Sequence, residues 1–375
     1  MTQEPNIFPY IARLLQGAEV VWKPLGEVVR LEKGKQLNKT ALLEEGTYPA
    51  YNGGVSFSGF TNTYNYEENT IIISQGGASA GFVNFVTTKF YANAHCYVIL
   101  PNTELVENRF VYHFLKSNQE ILMSRQLGAG IPALRTSEIL GIQIPLPPLS
   151  VQQEIVRILD KFTQLEAELE AELDCRKRQY EYYRNNLLSY EGNEVEWKTL
   201  DQISENLDSK RQPITSGLRT SGKIPYYGAS GIVDYVEDYI FDGDFLLISE
   251  DGANLLARNT PIAFSVSGKI WVNNHAHILK FRTYEERRFI EFYLNKTDLT
   301  PYISGAAQPK LNKKNLNSIK IPIPPLEEQQ RIVTILDKFD TLVNSISEGL
   351  PKEIALRRKQ YEYYREKLLT FINSQ

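Results

Sequence analysis

Cysteine, methionine, histidine and tryptophan are scarce in this chain: two Cys, two Met, four His and three Trp among 375 residues. Cys96 and Cys175 stand in unlike surroundings. Two thiols so placed build neither a disulfide framework nor a zinc site, which fits a reducing cytoplasm. Long apolar runs are missing as well. Candidates such as Phe245–Ile248 fall far short of the roughly 18 residues a membrane span needs, so no membrane contact is expected. The first ten residues, MTQEPNIFPY, lack a basic stretch leading into an apolar core, and no secretory signal is expected. Nor is there an excess of basic charge: 41 Lys and Arg face 45 Asp and Glu, a net charge of −4. That balance argues mildly against a nucleic-acid partner. Charge is nonetheless local. Acids cluster over 166–174, while Lys33, Lys35 and Lys39, and again Lys310, Lys313 and Lys314, form basic groups. A surface can carry such patches under an acidic total.

What the chain has in quantity is apolar and aromatic side chains, 42% and 11% of residues, enough for packed cores. Its length suggests two or three domains, and an internal duplication says how they are arranged. Residues 142–162 read IQIPLPPLSVQQEIVRILDKF and residues 319–339 read IKIPIPPLEEQQRIVTILDKF. RKRQYEYYRNNLL at 176–188 matches RRKQYEYYREKLL at 357–369, with four extra residues in the second copy near Gly349-Leu350-Pro351. Four residues are about one helical turn, so the helix face is nearly kept, with a local break expected there. Weaker matches keep the same order: EVVWKPLGEV at 19–28 with EVEWKTLDQI at 194–203, Ile73–Ala78 with Ile248–Ala253, Asn93-Ala94-His95 with Asn273-Asn274-His275, and residues 128–140 with 305–317. YIARLL at 10–15 resembles YRNNLL at 183–188, so the N-terminus begins like the end of a helix whose body lies at the C-terminus. The repeat is circular.

Periodicity supplies the local structure. The Pro-rich segments 145–148 and 322–325 cannot continue a helix. After each comes an amphipathic stretch: Ile155, Ile158, Leu159, Phe162, Leu165, Leu169 and Leu173 in one copy, Ile332, Ile335, Leu336, Phe339, Leu342 and Ile346 in the other. Apolar steps of three and four predict two long helices burying matching stripes as an antiparallel coiled coil. Short apolar runs bounded by Gly, Asn or Pro, such as 70–73, 95–100 and 245–248, read as strands. The expected fold class is α+β: two globular mixed α/β domains with two long helices and pseudo-two-fold symmetry. The expected organisation is an N-terminal helix turn plus first domain over 1–145, a first spacer helix over 146–190, a second domain over 191–322 and a second spacer helix over 323–375.

The twin IPxPPLxxQQxIVxILDKF segments, the twin RQYEYYR and KQYEYYR segments and the Trp-Lys-x-Leu opening of each half resemble the specificity subunit of type I restriction–modification systems, over essentially the whole chain. The resemblance implies two target-recognition domains, each reading half of a split double-stranded DNA sequence. It also implies helices that act as spacer and as docking surface for two methyltransferase (modification) subunits, with restriction subunits joining the complex.

The residues themselves show no catalytic apparatus. An amino-methyltransferase needs an aromatic residue after Pro-Pro, whereas Leu149 and Leu326 follow here; the Gly76–Gly81 cluster reads as a tight turn. No catalytic residue, cofactor or metal is expected. His95 and His275, with His277 on the same side, are read as strand-packing or hydrogen-bonding residues. Basic side chains recurring at equivalent loops suit phosphate contact: Lys33, Lys35 and Lys39 in one half with Lys210, Arg211 and Arg219 in the other, and Arg125, Arg135, Lys310, Lys313 and Lys314 beside the Gly128-Ala129 and Gly305-Ala306 turns. Gln75, Ser79, Asn254 and Arg258, on the diverged loop after a strand, are the candidate base readers. Tyr180, Tyr182, Tyr183, Tyr361, Tyr363 and Tyr364 are the candidate partner-docking aromatics, since adjacent tyrosines cannot all face one helix partner. The alternative function is a coiled-coil protein-binding adaptor without DNA specificity.

Overall fold

The computed structural model describes residues 8–126, 132–190, 195–305 and 308–371. Contacts divide the chain into two units, Met1–Glu170 with Glu353–Gln375, and Ala171–Lys352.

In the first unit, helix α1 (Pro9–Leu15) leads into strands β1 (Val21–Pro24), β2 (Val29–Lys33), β3 (Tyr48–Tyr51), β4 (Gly59–Thr61), β5 (Thr70–Ser74), β6 (Val83–Val86), β7 (Tyr91–Ala92) and β8 (Cys96–Pro101). Helices α2 (Asn108–Ser117), α3 (Gln119–Ser124) and α4 (Thr136–Leu140) follow, then β9 (Gln143–Leu146) and α5 (Leu149–Leu187). The main sheet runs β2-β8-β5-β6, with β4-β3-β7 and β1-β9 as smaller sheets. Strand β5 is buried throughout because both its faces are covered. Ile71 and Ile73 enter the core shared with α2, α5 and the C-terminal helix, whereas Ile72 packs with Val98 and Phe90 on the other side. Alternation of side chains along a strand makes that division. Helix α2 is started by Glu107, whose carboxylate accepts the Phe110 N–H at 2.7 Å, a side-chain cap for an otherwise orphaned donor.

The second unit repeats the plan with β10 (Glu196–Thr199), α6 (Leu200–Ile203), β11 (Glu205–Asn206), β12 (Ser221–Gly228), β13 (Gly231–Val236), β14 (Phe241–Ser249), α7 (Asn254–Ala257), β15 (Ala263–Val272), β16 (Ala276–Lys280), α8 (Tyr284–Lys296), α9 (Lys313–Asn317), β17 (Lys320–Ile323), α10 (Leu326–Asn344) and the start of α11 (Gly349–Leu369). Its sheet runs β11-β16-β14-β15-β12-β13. On β14, Leu246 and Ile248 enter one core and Leu247 the other. The Trp-Lys openings have the same role in both units: Trp22 lies opposite Pro145 and Trp197 opposite Pro322, in two-stranded ladders that tolerate a residue without an N–H.

The α+β class therefore holds, with one correction to the helices. Helix α5 is continuous, but the expected second helix is two. Helix α10 stops at Asn344 and α11 starts at Gly349. Gly349 takes φ +82°, and a Cβ there would meet the Thr341 carbonyl oxygen at 2.4 Å, so only glycine fits the exit from α10. Pro351, in the first turn of α11, is where a helix accepts a proline. In the first unit α11 runs antiparallel to α5, with Phe162 stacked on Tyr364 and Arg358 bonded to Glu166 and Glu170. In the second unit Phe339 of α10 stacks on Tyr180 and Tyr183 of α5. The two aromatic pairs, Phe162 with Tyr364 and Phe339 with Tyr183, are the same repeat positions with the copies exchanged.

Candidate nucleic-acid interface

Each unit fastens its head to its helices through one aspartate of the repeated ILDKF segment. In the first, Asp160 accepts from Arg109 Nε at 3.0 Å and Nη2 at 2.5 Å, and from His113 Nε2 at 2.8 Å. His113 is fully buried, and its Nδ1 meets the Tyr361 hydroxyl at 3.0 Å. Burial holds the His113 ring below the usual histidine range, against the pull of Asp160. The neutral ring therefore donates from Nε2 and accepts the Tyr361 proton at Nδ1, since a carboxylate only accepts. Burial alone would raise Asp160, but hydrogen bonds from His113 and Arg109 outweigh it and hold the carboxyl low. In the second unit Asp337 accepts from Arg288 Nε at 2.8 Å and from Tyr284 at 2.7 Å. The preceding glutamines match too. Gln152 and Gln329 are buried, and each donates to a linker carbonyl, Pro147 and Pro324, at 2.8 and 2.9 Å.

At the loop end of each sheet the two units share one set of hydrogen bonds. The backbone N–H of Gln75 donates to His95 O, and that of Glu250 to His275 O, both at 2.9 Å. Leu134 N donates to Gln75 O and Leu311 N to Glu250 O, both at 2.8 Å; Gly77 N donates to Pro132 O and Gly252 N to Pro309 O. Asn93 N reaches Tyr51 O as Asn273 N reaches Tyr227 O. Ser74 Oγ donates to Gly54 O, and Ser249 Oγ to Ala229 O. Beneath this frame the Tyr97 hydroxyl donates to Leu134 O at 3.0 Å, where His277 Nε2 meets Leu311 O at 2.7 Å. In the second unit the layer below is ionic. Asp208 bonds His277 Nδ1 at 2.6 Å, and Arg211 bonds Glu250 at 2.7 Å. Burial would raise both acids, yet their hydrogen bonds to His277 and Arg211 keep them below the usual carboxylate range.

The predicted contact residues divide into two groups on this scaffold. Lys33 at the end of β2, Lys35, Lys39, Arg135 before α4, Lys210, and Lys313 and Lys314 on α9 are exposed. Gln75 and Ser79 are half-exposed on the loop after β5. Arg125 faces Glu138 at 3.6 Å and Lys310 faces Glu250 at 3.2 Å, both from exposed positions. Others are committed to their own unit. Arg211 is tied to Glu250, Asp208 and the Ala276 carbonyl, and Arg219 lies over the Tyr226 ring while bonding Asp234. Arg258 donates to the Leu294 and Thr297 carbonyls, and Asn254 closes its loop on Thr260. These four side chains brace the scaffold, because carbonyls and carboxylates left unpaired at such sites would be costly. The Gly128-Ala129 turn and Ala306 lie outside the described residues.

Two further expectations are corrected. Tyr180 and Tyr361 are buried in the cores of their units, and burial pushes Tyr361 up to about 12. Tyr182, Tyr183 and Tyr363 are exposed, at 64, 43 and 53%, and Tyr364 is half-buried on Phe162. His95 and His275 stand exposed in the turns before β8 and β16 rather than packed in strands, although His275 hydrogen-bonds Asp251; His277 is buried. Periodicity and composition do not single out the Asp160 and Asp337 anchors, although an acid kept at both repeat positions is a signal for them.

Two mixed α/β heads fastened by the same aspartate to paired helices define a duplicated recognition module. The model of the family described as type I restriction modification DNA specificity domain matches residues 18–174 and again 193–356. The chain is 34% identical over 404 residues to the EcoR124I/EcoR124II specificity subunit of Escherichia coli, covering 96% of this chain and 97% of that one. It is 31% identical over 375 residues to the EcoprrI specificity subunit of the same organism, covering 90% and 92%. A solved type I restriction–modification S subunit from M. genitalium shares the fold, with a TM-score of 0.69 at 22% identity over 95% of this chain and 98% of that one. The chain belongs to the type I restriction–modification specificity subunits, and the adaptor alternative has no support. No helix among the described residues is long and apolar enough to cross a membrane.

Proposed function

We propose that this chain is the sequence-reading subunit of a cytoplasmic type I restriction–modification complex and performs no catalysis itself. Each unit reads one half of a bipartite, asymmetric double-stranded DNA target. Lys33, Lys35, Lys39, Arg125 and Arg135 on one unit, and Lys210, Lys310, Lys313 and Lys314 on the other, supply phosphate contacts that set register without carrying sequence. Helix α5, shared by both units, and helices α10 and α11 dock two modification subunits, with Tyr182, Tyr183, Tyr363 and Tyr364 in the contact. Restriction subunits join that complex, and no cofactor or metal is bound by this chain. The observation that carries the reading is the double family match, one on each head and its helix.

The test is reconstitution with a modification subunit. Methyl transfer to DNA requires both proteins, and the purified chain alone transfers none and cuts none. Changing Lys313 and Lys314 to Glu lowers affinity about equally for all sequences and flattens the salt dependence by roughly one unit per lost phosphate contact. Methyl transfer by the chain alone, or binding indifferent to salt, contradicts this function.

A further inference from the structure

We propose that the loop-end face of each unit is the reading surface, and that it has two kinds of position: His95 and His275 grip what both half-sites share, while their diverged neighbours read the bases. This rests on the DNA-reading function above and assigns the residues. Most residues that build the frame are the same in both units: Tyr51 and Tyr227, Ser74 and Ser249, Gly77 and Gly252, Asn93 and Asn273, Pro132 and Pro309, Leu134 and Leu311. Between them the side chains change. Gly76 bridges to Ala133 in the first unit where Asp251 bridges to Lys310 in the second; Ala94 is replaced by Asn274. A scaffold kept in register under altered side chains is what two readers of different sequences require.

His95 and His275 are the exception, being identical and exposed at the same place on that frame. Their carbonyls are held by the Gln75 and Glu250 N–H groups. In the second unit Asp251 takes His275 Nδ1 at 2.7 Å, which fixes the ring and leaves Nε2 for a ligand; as an imidazolium the ring donates from both nitrogens, and Nε2 donates to a phosphate oxygen. A side chain that does not change between two different half-sites suits the sugar–phosphate backbone, the chemistry common to both. Gly77 and Gly252 lie beside it at φ +78° and +104°, with no atom within 4 Å of where a Cβ would stand. The backbone there is open to close approach.

Two sets of variants of the full chain, each bound to the modification subunit, separate these roles on duplexes carrying every single-base change. Changing His95 or His275 to Ala should weaken binding about fivefold or more for all duplexes alike, leaving the preferred sequence intact. Changing Asp251 or Asn274 to Ala should reduce discrimination at a base pair of one half-site by about fivefold or more, the size of one base contact, and leave the other half unchanged; Asp251→Ala should also weaken every duplex, because it frees the His275 ring. The gain-of-function pair Gly76→Asp with Ala94→Asn should alter the other half; the Gly76 site has ordinary contact space for a side chain, its nearest neighbour being Pro132 O at 3.5 Å. A histidine variant that changes the preferred sequence overturns the assignment, as do Asp251, Asn274 and Gly76 variants with parental discrimination at every base pair. A parental complex with no bipartite preference would instead defeat the function itself.

Discussion

Replacing Asp160 with Asn removes the charge at the centre of the first unit's latch. The carboxylate accepts from three donor atoms, Arg109 Nε (shared between both oxygens) and Nη2 and His113 Nε2. Its side chain keeps 37% exposure, while those of Arg109 and His113 keep 22% and 0%. Charge-assisted bonds of this kind contribute about 1.5–3 kcal/mol each when buried, and partial exposure lowers that. Asn still accepts one bond, so a loss of about 2 kcal/mol is expected, with the Arg109 guanidinium losing its counter-charge. For a domain of this size that is a fall of roughly 4–8 °C in the melting temperature of the unit. Calorimetry of the purified chain reads it, with the exposed Glu104→Gln as control. A double-mutant cycle with Arg109→Met isolates the pair, and a coupling energy of about 1–3 kcal/mol is expected for groups in direct contact. A shift no larger than the control's, or a coupling near zero, would refute the claim that Asp160 fastens the head to the helices.

Gln152→Leu should cost about 1–3 kcal/mol and more than Gln329→Leu, because Gln152 also accepts the Glu107 N–H at 2.9 Å; equal denaturant midpoints would contradict this. Because burial keeps His113 from protonating in the native state while an unfolded histidine protonates near pH 6.5, its contribution is full above about pH 6.5 and is lost as pH falls below it. The protection factors of the α2 amides, which correct exchange for its intrinsic pH dependence, should therefore fall below that pH, and His113→Gln should flatten the profile; an unchanged profile would count against it. The Asp160 contribution runs in the same sense but further into acid, being lost only as pH falls through its lowered native value. Tyr182→Ser with Tyr363→Ser should weaken modification-subunit binding about tenfold without moving the melting temperature by more than about 1 °C, the ordinary cost of exposed sites. Undiminished pull-down of the modification subunit would remove these tyrosines from the interface.

The repeat and its apolar stripes made the helices and the two heads legible in sequence, because periodicity is a local property. Ile155 and Leu159 of the predicted stripe are fully buried, as are Ile332 and Leu336. What periodicity does not carry is which distant group a charge meets. Arg211 and Arg258 look like any loop arginines until the fold brings Glu250 to one and the end of α8 to the other. Nothing local marks Asp160 either: its partners Arg109 and His113 come from α2, far away in sequence. The helix break was half legible. The insertion and Gly349-Leu350-Pro351 marked the neighbourhood, but the chain leaves the helix just before them, over 345–348. Tyr180 and Tyr183 contact the same ring, Phe339, so a three-residue step that keeps both near one face decided their packing, and the neighbouring Tyr182 was left exposed.

That each unit reads its own half-site is tested most directly by mapping methylated motifs in cells that carry this chain with its modification subunit, beside a variant in which residues 195–320 come from a related specificity subunit. The parent should methylate a single asymmetric motif of two specified parts separated by unspecified bases, and the exchange should replace one part while leaving the other as it was. A motif in which both parts change together, or methylation with no two-part motif at all, would contradict independent reading by the two units.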